Sequence, residues 1–214
     1  MGTDRAVVGS SGPEDDETGA NDGAGETQAR NRAIREVVTI VASVLVLGVS
    51  VVAISGVWPP LMAIESGSME PHIDTGDMVY VVAEDRFPGP GARHGVVTAA
   101  AAEESGYDRF GQPGDVILYE PNGNDDRTPI IHRAMFYVES GENWYDRTDP
   151  DAVGGAESCV ELTHCPAPHD GFVTRGDANG KYDQVRPTES TVVRPRWVIG
   201  TAEARVPELG WLRL

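Results

Sequence analysis

Lysine is all but missing: Lys181 is the single lysine, and the rest of the 17 basic residues are arginines. Any mechanism that needs an amine base therefore has one candidate. Positive charge is scarce altogether, with 34 acidic residues against those 17 and a net charge of −17, which excludes functions that rest on neutralising nucleic-acid phosphates. The Cys-x-x-Cys and paired-His spacings of structural zinc are also missing, although Cys159, His164, Cys165 and His169 lie close together in the chain. No metal and no cofactor is expected. No internal repeat and no long amphipathic helical pattern occurs, and 214 residues suit one medium domain with an appendage better than two independent cores.

The acid excess is spread through the chain, at Asp85, Glu103, Glu104, Asp125, Asp126, Asp149 and Asp151 among others. With one lysine and 7% aromatics, this composition resembles the surface of a protein from a salt-saturated cytoplasm, where short screening lengths remove self-repulsion. The expectation is a halophilic source.

Residues 1–36 open with a stretch rich in Gly, Asp, Glu, Ser and Thr that has almost nothing to bury, and they read as a disordered acidic tail. Val37 to Val57 then runs without a charge. As a helix it spans roughly 31 Å, close to the thickness of a hydrocarbon core. A cleaved secretory signal is the competing reading, but the run is too long and a polar tail precedes it. Arg30, Arg32 and Arg35 lie just before the run and Trp58-Pro59-Pro60 just after it. This asymmetry places the N-terminus in the cytoplasm and residues 58–214 outside a cell membrane crossed once.

The external part reads as mainly β. Met78–Val82, Val116–Tyr119, Ile130–Val138, Thr191–Val193 and Trp197–Ile199 are short, β-branched and bounded by Gly, Pro or Asp. Stretches near 84–113 and 140–170 look like loop insertions in this framework. The second holds Cys159 and Cys165, where a disulfide closing a short loop is chemically permitted outside the membrane, with free thiols the alternative.

Three segments offer chemistry. Ser66-Gly67-Ser68-Met69-Glu70-Pro71 forms a turn soon after the apolar helix and fits either a structural loop or an exposed nucleophile. In Pro129 to Phe136, period-two alternation sets His132 on one face with Ile130, Ala134 and Phe136. A half-buried imidazole there suits a general base or a satisfied core histidine. The loop from Arg175-Gly176-Asp177 through Asn179 to Asp183 carries two carboxylates, either of which can accept a hydrogen bond from an imidazole, although its glycines and Asn179 also fit ordinary turns.

Behind an N-terminal anchor, and in this order, these segments resemble the archaeal and endoplasmic-reticulum branch of type I signal peptidases. The matching boxes are Ser66–Pro71, Gly76-Asp77-Met78-Val79, Gly114-Asp115-Val116-Ile117, Ile130-Ile131-His132-Arg133, the loop from Arg175 to Asp183, and Val206 to Trp211. The resemblance implies a compact antiparallel β catalytic domain, with Ser68 as nucleophile, His132 as general base and Asp183 orienting the imidazole. Asp177 is carried over with a less defined role, and the two aspartates can exchange roles. Ser66 resembles the residue whose hydroxyl joins the Ser68 backbone N–H in an oxyanion hole. Gly67 and Ala178 depart from the family pattern, which has aspartate and asparagine there in many members.

Where the bacterial branch uses a lysine base this chain has His132, and Lys181 sits in a polar turn whose carboxylates hold an amine protonated. The implied activity is a serine endopeptidase that removes N-terminal signal peptides from secretory preproteins. The implied partners are those signal peptides and the lipid bilayer, with the protein translocation machinery as a further candidate. Two rivals remain: a non-catalytic membrane-tethered β module that binds a partner protein, and a related membrane peptidase with a narrow substrate set.

Overall fold

From Asp22 to Ser55 the chain forms one helix, α1. The sequence has no proline in that span, and Gly56, at φ +71, ends the helix before Pro59 and Pro60. The architecture comes from a computed structural model that describes residues 22–186 and 189–213 together with Gly2. Most of the tail expected to be disordered lies outside these residues, but positions 22–36 belong to the helix. Thr27–Ser55 is the one helix among the described residues long and apolar enough to cross a membrane. Its Val37, Ile40, Val44, Leu45 and Leu47 side chains are exposed.

The rest is mainly antiparallel β, as the sequence pattern predicts. The strands are β1 (Leu61–Ala63), β2 (Met78–Val82), β3 (Asp108–Arg109), β4 (Gln112–Pro113), β5 (Val116–Tyr119), β6 (Ile130–Val138), β7 (Gly171–Arg175) and β8 (Val198–Val206). Six of them form one sheet in the order β1-β2-β8-β5-β6-β7, and β3 and β4 form a small separate hairpin. All five pairings in the large sheet are antiparallel. Strand β5 shows why its four residues are all apolar. Val116 and Leu118 pack with Met69, Ile73, Val79 and Val81, whereas Ile117 and Tyr119 pack with Ala134, Phe172 and Val198. Both faces of this strand are buried, so no polar alternation survives.

Four expectations need correction. Phe136 does not share a face with His132, because the register shifts between Ala134 and Phe136. After that bulge Tyr137 joins the Ala134 cluster, and Phe136 packs with Trp144 and Val173. Thr191–Val193 is not a strand; only Val193 pairs, in a single bridge to Phe172 that covers part of the β7 edge. Trp197 belongs to a 3-10 turn, and the strand beyond it runs to Val206, well past Ile199.

The two expected insertions, finally, are not merely surface loops. Val96 and Val97 in the first are fully buried, and it carries a short helix, α2 (Ala99–Ser105). The second contributes Trp144, Ala152, Val153, Leu162 and Ala167 to a buried cluster that it shares with Phe136, Val138 and Val173 of the sheet. Cys159 and Cys165 form the anticipated disulfide within it, with Cα atoms 5.1 Å apart.

Two sequence boxes close on each other at the far edge of the sheet. Gly76 has φ +90, and an added Cβ would lie 2.2 Å from the Trp211 indole nitrogen, so only glycine lets Trp211 cover this turn. Beside it, Asp77 accepts hydrogen bonds from the backbone N–H groups of Asp74 and Glu208 and from Arg205. Burial by itself would raise the Asp77 pKa, but these donors outweigh it and hold the carboxyl below its ordinary value.

Candidate active site

Strand β6 pairs with β5 so that His132 lies opposite Ile117 and Arg133 opposite Val116. Adjacent strand residues point to opposite faces, and these two side chains serve different carboxylates. His132 is 5% exposed and its Nδ1 is 2.7 Å from Asp183 Oδ2. Arg133 makes a two-pronged contact with Asp177, Nε to Oδ1 at 2.8 Å and a terminal nitrogen to Oδ2 at 2.6 Å. The sequence left the two aspartates interchangeable; in the structure Asp183 is the one bonded to the histidine.

Asp183 is fully buried, and such a carboxylate needs donors. Oδ2 receives them from Thr174 Oγ1 at 2.6 Å and Tyr119 OH at 3.0 Å as well as from His132. Gln184, also fully buried, accepts from the Thr174 backbone N–H and donates to Thr174 Oγ1. Burial, with Asp183 as the next cause, pushes the Tyr119 phenol well above its ordinary pKa, so Tyr119 remains a donor. With Nδ1–H committed to the carboxylate, the second imidazole nitrogen, Nε2, is the one left to act as a base.

Ser68 sits in the 3-10 turn Gly67–Met69, anchored by the fully buried Met69 and Ile73. Its backbone carbonyl accepts from Ala178 N–H at 2.9 Å, which clasps the 176–179 turn to the serine turn. Gly176 fills the narrow space between them. An added Cβ there would lie 2.5 Å from the Ser68 carbonyl oxygen and 2.9 Å from His132 Nε2. The free imidazole nitrogen and the serine turn therefore border the same point. Ser68 Oγ lies 3.4 Å from Ser66 Oγ, and among the described residues this, not a contact with His132, is its side-chain hydrogen bond. Catalytic hydrogen bonds of this kind often tighten only when substrate arrives.

Ser66, Ser68 and His132 line one groove of about 410 Å³. Met62, Ala63 and Ile64 supply part of its wall, and Pro129, Ile130 and Ile131 another part. Lys181 is elsewhere: its ammonium lies against Gly154, away from the groove. Asp177 is also turned away from His132, because Oδ2 meets His72 Nδ1 at 2.9 Å in addition to Arg133. Arg133 itself donates to the carbonyl oxygens of Arg109 and Gly114, at 3.1 and 2.7 Å. Asp177 thus ties the 176–179 turn to the segment before β5.

Sequence reasoning missed Tyr119, Thr174 and Gln184 around Asp183, and Arg133 and His72 around Asp177. Only Arg133 carried a sequence signal, standing next to the candidate base.

A buried carboxylate on an imidazole, beside a serine in an open groove of an antiparallel β unit, is the residue set of serine-dependent acyl transfer. No protein-family model matches the chain. The chain is similar to two curated proteins named signal peptidase complex catalytic subunit sec11. It is 22% identical to that of Aspergillus terreus over 158 residues and 23% identical to that of Aspergillus oryzae over 159 residues, in each case across 72% of this chain. It spans 64% of the length of those relatives. This weak similarity supports a signal peptidase relationship.

Proposed function

We propose that the chain is a membrane-anchored serine endopeptidase that removes N-terminal signal peptides from secretory preproteins. The observation that carries this reading is the His132–Asp183 pair opening on the groove that Ser66 and Ser68 also line, in a chain similar to sec11.

Ser68 Oγ attacks the scissile carbonyl carbon while His132 Nε2 takes its proton, and buried Asp183 stabilises the imidazolium that results. The oxyanion lies against the Ser68 N–H and the Ser66 hydroxyl. His132 then gives the proton to the leaving amine, which departs with the mature chain. Water, deprotonated by the same nitrogen, hydrolyses the Ser68 ester and releases the signal peptide.

Two free strand edges favour an extended substrate. β1 is the outermost strand of the sheet, and β7 begins pairing with β6 only at Arg133, leaving residues 130–132 unpaired on that side. A peptide laid along these edges gains main-chain hydrogen bonds, and shallow apolar walls suit the small residues that precede a signal cleavage site. The helix ends at Ser55, thirteen residues before Ser68. An N-terminus in the cytoplasm, a single crossing and an external peptidase unit over residues 58–214 would place the serine near the membrane surface, where secretory precursors emerge.

The test is cleavage of a radiolabelled preprotein by membranes containing the chain. Ser68→Ala and His132→Ala should abolish processing, and Lys181→Ala should leave it intact. Wild-type membranes that contain folded protein and cleave nothing would favour the rival reading, a tethered binding module, and a Ser68→Ala chain that cleaves normally would remove Ser68 as the nucleophile.

A further inference from the structure

Asn179 ends the turn that clasps Ser68. Its backbone N–H donates to the Gly176 carbonyl oxygen at 2.9 Å, and the neighbouring Ala178 N–H pins the turn to the Ser68 carbonyl oxygen. Backbone bonds thus fix where residue 179 stands without help from its side chain. That side chain is half-buried and lines the groove with Ser66, Ser68 and His132. Among the described residues its amide makes no hydrogen bond.

The amide faces the base. The point where a Cβ of residue 176 would sit is 2.7 Å from Asn179 Nδ2, 2.9 Å from His132 Nε2 and 2.5 Å from the Ser68 carbonyl oxygen. These three atoms are the nearest to that point, and none belongs to Glu65, Arg186 or Glu189, the other charged residues of the groove. With Nδ1 turned to Asp183, Nε2 is an acceptor, and so is the Ser68 carbonyl. Between two acceptors, the N–H end of the amide is the end that fits. Residue 176 has no side chain, so the space in front of it stays open to a small molecule. No direct bond joins Nδ2 to Nε2, and both border this one space, so a single water reaches both.

Resting on the peptidase reading, we propose that Asn179 is a further catalytic residue that holds the water hydrolysing the Ser68 ester. Once the amine has left from the Nε2 side, water takes its place. The Asn179 amide donates to the water oxygen while one water proton points at Nε2. The oxygen then bonds to the ester carbonyl carbon as Nε2 takes that proton. The carbon–Oγ bond breaks, the proton passes from Nε2 to Ser68 Oγ, and the signal peptide departs with a free carboxyl group. The first half of the reaction makes no use of Asn179, because Ser68 Oγ is held by its own turn. The amide also stays off the oxyanion, since it borders the Ser68 carbonyl oxygen and not the Ser68 N–H.

The experiment uses the full chain in detergent and two forms of a peptide with one signal cleavage site. One form has the ordinary amide at the scissile bond, and the other has an ester there. For the amide, kcat/KM reads the steps up to formation of the Ser68 ester. The ester form loads Ser68 quickly, and acid quenching followed by intact mass reads how fast the acylated chain decays, whichever step limits turnover. Asn179→Leu keeps the bulk of the side chain and removes the donor. Asn179→Ala is the second variant, should leucine disturb the turn.

In both variants the acylated chain should decay about tenfold more slowly than in the wild type, the upper range for one neutral hydrogen bond. kcat/KM on the amide should stay within about twofold of wild type. Hydroxylamine, a stronger nucleophile that needs no holding, should restore the decay. A decay rate equal to that of the wild type would overturn the proposal. So would an amide kcat/KM that falls as far as the decay rate, because Asn179 would then position the base or the serine turn for both halves of the reaction. If the wild type cleaves neither peptide, the peptidase reading fails instead, which separates the two failures.

Discussion

His132 Nδ1 stands 2.7 Å from Asp183 Oδ2, the same carboxylate oxygen on which Thr174 and Tyr119 converge. One buried oxygen thus fixes the imidazole and is itself fixed from the floor of the sheet. Asp177, six residues earlier, spends its oxygens on Arg133 and His72. Substitution should therefore separate the two aspartates by kind of defect. Asp183→Asn should lower kcat by about 10³- to 10⁴-fold, as when the orienting carboxylate of a triad is lost, in a protein that still folds. Asp177→Asn leaves a buried guanidinium without its partner and should cost about 3–5 kcal/mol of stability, seen as a lower denaturation midpoint. Equal activity losses with equal midpoints would remove the distinction.

Thr174→Val takes away the shortest neutral donor to Asp183, at 2.6 Å. A hydrogen bond to a charged group contributes about 1.5–3 kcal/mol, so the carboxylate loses both support and orientation. kcat should fall at least tenfold with KM little changed, and Thr174→Ser should restore most of it. A KM effect in place of a kcat effect would assign Thr174 to substrate binding.

Gly176→Ala puts a methyl group into contact with the Ser68 carbonyl and His132 Nε2, at 2.5 and 2.9 Å before relaxation. Neither neighbour is the loose end of a flexible chain. The serine turn and the imidazole must move apart, and activity should fall by about 10²-fold, the scale on which small misplacements act. Circular dichroism should show the β unit intact. Full activity in this variant would mean that the serine turn approaches the base from another direction.

Asp77 makes stability depend on acid. Its pKa is lowered in the folded protein, because donors from Asp74, Glu208 and Arg205 outweigh the opposing effect of burial. The stabilisation is thus fully present above the ordinary aspartate range and is lost as the pH falls through the lowered value. Asp77→Asn should unfold at a lower urea concentration than wild type at pH 7, and the gap should close towards pH 3. A gap that is constant with pH would show that Asp77 acts through shape alone.

Reduction of Cys159–Cys165 tests the second insertion. The bridge spans six positions, and a loop that short contributes about 2 kcal/mol in the chain-entropy account. Because the insertion packs Trp144 and Leu162 against Phe136 and Val173 of the sheet, reduction should lower the thermal midpoint by several degrees while leaving the fold in place. Tryptophan fluorescence reads this directly, since Trp144 is fully buried. Loss of the whole β unit on reduction would make the disulfide a requirement for folding.

Local chemistry made much of this legible from the sequence. The apolar run after Arg35 determined a helix, and glycine and two prolines determined where it stops. The strands at 78–82, 116–119 and 130–138 follow from β-branched runs bounded by turn formers, and their limits match the structure. The histidine and the serine turn stood out through the order of the boxes that carry the resemblance, since by composition alone a structural loop and a core histidine fit as well.

Tertiary structure alone decided the rest. Which aspartate meets His132 depends on how the loop from Arg175 to Asp183 folds back over β6. Six residues apart in sequence, the two carboxylates part company because Arg133 and His132 point to opposite faces of one strand. Tyr119 came from a strand that read only as core, Thr174 from β7, which the sequence pattern did not single out as a strand, and the bulge after Ala134 moved Phe136 to the other face. Polar loops concealed the small core around Trp144, because burial there comes from scattered residues with no period. Local propensity fixed the limits of three strands; the meeting of side chains 51 residues apart, as in His132 and Asp183, is fixed by how the elements pack.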